Sequence, residues 1–201
     1  MGFLKELFGS SKEVWQQFAN EIGGEYVDRG FWKSKKVIGK FESWTVVLDT
    51  FTRSSGKHST TYTRIRAPFK TVDELQFKIH RRTIFSNIDF GMQIIKTGYD
   101  EFDEQFIIKG NYESKIKDIF SVDKLRHLIS NQDKVLMKIK DDTGLFNRNL
   151  SEGNYELYFE SIGVIKDVDR LKELFNIFVL LLNTLSFIES ASRENIYIDL
   201  N

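Results

Sequence analysis

Three histidines, a run of carboxylates and a glycine–lysine pair have the most chemical reach in this chain. His58, His80 and His127 could each act as a general base or a metal ligand. They stand far apart and lack the i, i+4 spacing by which one helix face presents two imidazoles to zinc. A surface histidine is the simpler reading of each. Asp100-Glu101-Phe102-Asp103-Glu104 concentrates four carboxylates, and magnesium or an acid–base pair could use such groups. The run sits just ahead of a strand and reads as a polar loop, so a solvated counter-charge outweighs a metal or catalytic site. Gly56-Lys57 follows a strand-like segment, as in a phosphate-binding loop. Phe51 stands where that motif needs its first glycine, however, and His58 where it needs Ser or Thr. The hydroxyls of Ser54, Ser55, Ser59, Thr60 and Thr61 lie in no nucleophile elbow. The chain has no cysteine, which removes disulfides, thiolate catalysis and cysteine-held zinc. No catalytic residue, metal or cofactor is assigned.

Charge is the remaining cue. Lys and Arg balance Asp and Glu at 29 each, yet residues 31–82 hold twelve cations against four acids, a local +8. From residue 101 onward the balance is −5. A local positive field favours an anionic partner or contact between the two halves. Strand periodicity puts Tyr62, Arg64 and Arg66 on one face of one segment and Lys78 and His80 on the outer face of another. With Arg81, these six are the candidate binding residues. Side by side they would form a cationic patch with an aromatic member. Pairing of this face with acids of the C-terminal half is the blander and stronger reading. No RNA-recognition signature is present, and a net charge of zero lacks the usual footprint of a nucleic-acid binder, so that partner is not expected.

Two hundred and one residues, 41% hydrophobic with eighteen Phe, suffice for an aromatic-rich core. Phe3, Leu4, Leu7 and Phe8 form a short amphipathic opening. Ser10-x-x-Glu13 matches a capping box, and Val14, Trp15, Phe18 and Ile22 continue as one stripe to Gly23-Gly24. A helix is expected over 11–22. Segments 36–41, 44–52, 59–67 and 74–82 read as strands, with a hairpin loop over 53–58 and Pro68 following the third. Phe106–Ile108 reads as a strand. Helices follow at Ile116–Phe120 and Leu125–Ile129, the second with Ser121 as candidate N-cap. Val135–Ile139 and Tyr155–Phe159 alternate as strands, and Asp141-Asp142-Thr143-Gly144 marks a turn between them. Asp167 caps a last helix over 167–189, in which Leu171, Leu174, Phe178, Leu181, Leu185 and Ile188 form a seam. Leu174–Ile188 is broken by Asn176, Asn183, Thr184 and Ser186 and falls short of the ~20 apolar residues of a membrane span.

Four phrases carry a family resemblance: Trp15–Gly24 (WQQFANEIGG), Thr60–Pro68 (TTYTRIRAP), Phe102–Gly110 (FDEQFIIKG) and Gly163–Asp167 (GVIKD). Through them the chain, from about 14 to 185, resembles an uncharacterised family of conserved bacterial proteins, a domain of unknown function with no assigned activity. Some of those proteins join a comparable region to membrane segments. The resemblance implies a bacterial cytoplasmic source and transfers no catalytic residue.

The expected fold is α+β: antiparallel sheet packed against helices, with the long apolar C-terminal helix in the core. One domain over 1–201 is expected, with a candidate boundary between two similar lobes near 90–100. The expected function is a non-enzymatic binding or regulatory module whose basic strand face meets an acidic protein surface or an anionic ligand. Two alternatives stay open: a hydrolase or phosphate-handling enzyme using His80 or His58 with carboxylates from 100–104, and a peripheral membrane protein inserting Phe3, Leu4, Leu7 and Phe8. A membrane partner is not favoured, because that opening helix is barely two turns long. Oligomeric state is not legible, and a homodimer stays open.

Overall fold

A computed structural model describes residues 10–28, 35–82, 92–141 and 153–194. The expected opening helix at 3–8 and the turn at 142–144 lie outside them. The elements in chain order are α1 (Ser11–Glu21), β1 (Glu25–Val27), β2 (Lys36–Phe41), β3 (Trp44–Ser55), β4 (His58–Thr71), β5 (Phe77–Arg81) and β6 (Gln93–Ile95). Then come α2 (Asp100–Gln105), β7 (Phe106–Gly110), α3 (Glu113–Ser121), α4 (Asp123–Ser130), β8 (Leu136–Asp141), β9 (Asn154–Ile162), α5 (Val168–Phe187) and β10 (Ala191–Ser192). The fold is α+β, with one antiparallel sheet and five helices among the described residues.

The strands run in the order β1-β2-β3-β4-β9-β8-β5-β7-β6, with β10 pairing β4. Each step is antiparallel, so hairpins account for β2–β3 and β3–β4, while β4–β9 and β5–β8 need long excursions. The 53–58 loop contracts to a two-residue turn: Ser55 pairs His58, and Gly56 takes a φ of 59° that suits glycine. Pro68 lies inside β4, where a strand end was expected. Its imide is tolerated there because the β3 ladder stops at Val47↔Arg66, before Pro68 is reached.

Alternation sends one face of every long strand into a common apolar cluster. Leu48, Ile65, Leu157, Phe159, Met137, Ile139, Phe77, Ile79 and Ile108 meet buried residues of the helices there. α1 starts with a full capping box: Ser10 Oγ accepts from the Glu13 amide (3.3 Å) and the Glu13 carboxylate from the Ser10 amide (2.8 Å). Its Phe18 ring meets Phe175 of α5 edge-on at 6.3 Å, and Trp15 Nε1 donates to the Ile165 carbonyl (3.0 Å). The Asp167 carboxylate accepts from the Arg170 amide (3.0 Å) at the start of α5. Ser121 does not cap α4. Its hydroxyl turns back to the Asp118 carbonyl (2.7 Å), and Val122 occupies the cap position.

The carboxylate run at 100–104 forms a helix, α2, where a loop was expected. Asp100, Glu101 and Asp103 are compatible with this because the positive end of a helix dipole favours acids in the first turn. Asp103 is buried and accepts from the Thr97 amide and hydroxyl (both 3.0 Å), tying the preceding chain to α2. Lys115 ties α3 to the far end of α5, meeting the Asp73 carboxylate, the Ile188 carbonyl (3.0 Å) and the Ser190 hydroxyl (3.2 Å).

Gly110 sets the approach of α3 to the sheet. A Cβ there would collide with the end of the Ile116 side chain and lie 2.8 Å from the Gln76 carbonyl oxygen. Gly110→Ala is therefore expected to destabilise the protein by about 1–3 kcal/mol, as overpacking does. A urea midpoint equal to the parent's would show that α3 can retreat freely.

Candidate functional site

The other face of the sheet carries five of the six candidate residues. Directly opposed residues share a face, so the ladder registers define a row across seven strands: Val47, Arg66, Tyr158, Lys138, Lys78, Lys109 and Ile94. A neighbouring row runs Asp49, Arg64, Glu160. Tyr62, Arg64 and Arg66 do share a face, as do Lys78 and His80. The two groups are not side by side, because β9 and β8 lie between β4 and β5. Acids of the C-terminal half fill that gap.

At the β3–β4 end every arginine is committed. Asp49, buried to 1% exposure, takes a bidentate pair from Arg64 (2.7 Å for both bonds) and a third bond from Arg66 (2.8 Å). Arg66 also lies 3.8 Å from Glu156, which Lys140 meets at 2.8 Å. Arg53 grips Glu160 with both nitrogens (3.0 and 2.7 Å), and Tyr158 donates to the same carboxylate at 2.6 Å. The Arg53 guanidinium also sits over the Phe51 and Tyr62 rings, which stack at 5.2 Å. Tyr62 thus belongs to an aromatic–arginine stack of the sheet itself. These charges are paired with one another.

Arg81 falls outside the patch altogether. Odd and even positions of a strand face opposite ways, so Arg81 leaves the face of Lys78 and His80. It donates to the Ser130 carbonyl (2.7 Å) and the Gln132 carbonyl (3.0 Å), satisfying the exposed end of α4. His80 remains on the open face, where its Nδ1 lies 3.0 Å from the Arg81 carbonyl oxygen. For the hydrolytic alternative, Asp100, Glu101 and Glu104 are exposed on α2 and Asp103 is held by Thr97. His58 sits at the far β3–β4 turn. Among the described residues no three His, Asp or Glu are grouped to hold a metal.

The β8–β5–β7 end differs. Lys138, Lys78 and Lys109 stand directly opposite one another on three neighbouring strands. Lys78, Lys109, Lys138 and Lys140, with Gln76 and Met92, line a depression of about 250 Å³. Lys78 and Lys109 interact with further groups of the chain as well. Lys138 has no hydrogen bond or ion pair among the described residues; its ammonium faces the Tyr158 ring at 5.3 Å. Burial first, and then the charge of Lys140, hold Lys138 below the ordinary lysine range. Glu160 opposes this, while Lys78 and Arg53 add to it. Lys109, Lys138 and Lys140 were outside the candidate set, although Lys138-x-Lys140 on an alternating strand marked both as outward.

Burial pushes the Glu160 carboxyl up, but bonds from Arg53 and Tyr158 and the charges of Arg53 and Lys138 bring it below the ordinary value. Burial, then Glu160 itself, push the Tyr158 phenol far up. A carboxylate with a depressed folded pKa stabilises the protein above its unfolded value, near ~4.3 for Glu, and loses that contribution as pH falls through the folded value.

No family model and no curated protein matches the sequence. Among solved structures the fold is similar to the crystal structure of the mycobacterial trehalose monomycolate transport factor A, TtfA. The TM-score is 0.54 at 9% identity, covering 90% of this chain and 98% of that one. At that identity the likeness shows the fold and assigns no residue a role. Among the described residues no helix is long and apolar enough to cross a membrane.

Glu160→Gln is expected to cost about 1–2 kcal/mol at neutral pH, discounted because Arg53 is half exposed. It should also flatten the loss of stability below about pH 4.3. Urea midpoints followed from pH 7 to 3 check this, and an acid limb as steep as the parent's would contradict it.

Proposed function

We propose that this chain is a non-enzymatic binding module, of bacterial cytoplasmic source as the family resemblance implies, whose working surface is the basic part of the polar sheet face. The ligand is an anionic molecule or an acidic protein surface. The binding centre lies in the lysine depression, which keeps Lys78 of the six residues first expected and leaves out the Arg64–Arg66 end. The long apolar C-terminal helix is the main core element.

One observation carries this reading: three lysines abreast on β8, β5 and β7. Like charges directly opposed across a sheet are destabilising. A bound anion would offset that repulsion in a partly dehydrated site, where charges interact more strongly than in bulk water. Arginine is the residue suited to fixed bidentate pairs, and lysine to a mobile point charge. The two ends of the face divide along that line. A transport factor as fold neighbour is in keeping with binding; the fold likeness adds nothing about the ligand.

Calorimetry with sodium tripolyphosphate and with an all-glutamate peptide, at low and moderate salt, tests the proposal. The parent protein should bind at least one of them, with affinity falling as salt rises. The double variant Lys78→Gln/Lys138→Met should lose about tenfold or more, roughly 1.4 kcal/mol. No binding by the parent, or equal binding by the folded variant, would remove the proposal.

A further inference from the structure

Within that depression Lys138 has a setting unlike the other three lysines. Lys140 is held by Glu156 at 2.8 Å. Lys78 and Lys109 have additional interactions within the chain. The Lys138 terminal nitrogen has no hydrogen bond or ion pair among the described residues, and Lys138 lines the cavity. We propose that Lys138 is a reactive amine that captures small anionic aldehydes as an imine. This rests on the reading of the depression as an anion site and names the class of ligand it would take.

Three features support it. Lys78, Lys109 and Lys140 border the same cavity, so an anionic group beside Lys138 meets their positive charge in addition to the interactions each already makes. The volume, about 250 Å³, suits a small molecule. The amine is made available by burial and surrounding positive charge, the combination that activates nucleophilic lysines. The charges acting on it are Lys140 on its own strand, Lys78 on β5, Glu160 on β9 and Arg53 on β3, with the Tyr158 ring facing its ammonium and Lys109 of β7 bordering the same cavity. Of these charges Glu160 favours the protonated form and the cations oppose it.

The chemistry balances without a redox partner. The neutral Nζ adds to the aldehyde carbon, and the carbinolamine loses its oxygen with two protons as water. The C=N bond then joins ligand and side chain. Release is hydrolysis by the reverse steps.

Pyridoxal 5′-phosphate is the probe, with cyanoborohydride supplying hydride to fix any imine as a secondary amine. Peptide mapping by mass spectrometry reads the position. Incorporation at Lys138 should exceed that at any other lysine several-fold and be suppressed by tripolyphosphate. It should reach half its maximum at lower pH than at the other lysines. Lys138→Arg should remove it, while Lys12→Arg, on the exposed side of α1, should leave it intact. Even labelling over many lysines, or preference for another, would overturn the inference. If tripolyphosphate binds by calorimetry yet Lys138 is not preferred, the imine falls and the anion site stands. If neither occurs, both fall.

Discussion

Asp49 is the charge on which the polar face of the sheet turns. It is an almost fully buried anion between two arginines of the next strand. Removing one partner of such a group leaves a buried charge uncompensated, at a cost of about 3–5 kcal/mol. Asp49, Arg64 and Arg66 therefore lock β3 to β4 on the face opposite the main apolar cluster. The stack of Phe51 on Tyr62 beneath Arg53 extends that lock toward the turn. Given those bonds, the arginines of the basic segment are structural elements, and the working charge must come from elsewhere.

It comes from the strands that long-range pairing inserts. β9 brings Glu156 and Glu160, which meet Arg66, Lys140 and Arg53. Beyond it, β8, β5 and β7 bring lysines. The basic side chains of the face thus change from arginine to lysine across neighbouring strands. Tyr158 stands at the junction, its hydroxyl on Glu160 and its ring facing both Lys138 and Lys140. This gradient along the sheet is what makes one end a candidate site and the other a scaffold.

Local structure was legible where local physics decides it. The capping box at Ser10 and Glu13 placed the start of α1 exactly where it lies, and the strand at 36–41 has its observed bounds. The α+β class followed from the same signals. Pro68 was misread because a strand tolerates proline wherever one neighbour has already diverged, and a sequence does not display its neighbours. The carboxylate run was misread because Phe102 gives too short an apolar signal to reveal a six-residue helix. For the site, alternation grouped Tyr62 with Arg64 and Arg66, and Lys78 with His80. It could not say that β9 and β8 separate the two groups, since that order depends on pairings about ninety residues apart. Arg81 was grouped by proximity in sequence, and one step along a strand reverses the face.

The most direct test is the titration of the Lys138 amine, observed by NMR in protein carrying 13C-labelled lysine and assigned with Lys138→Arg. The account requires Lys138 to lose its proton at lower pH than the exposed lysines, and tripolyphosphate to move that titration back upward. A Lys138 signal that titrates with the exposed lysines and ignores tripolyphosphate would contradict it.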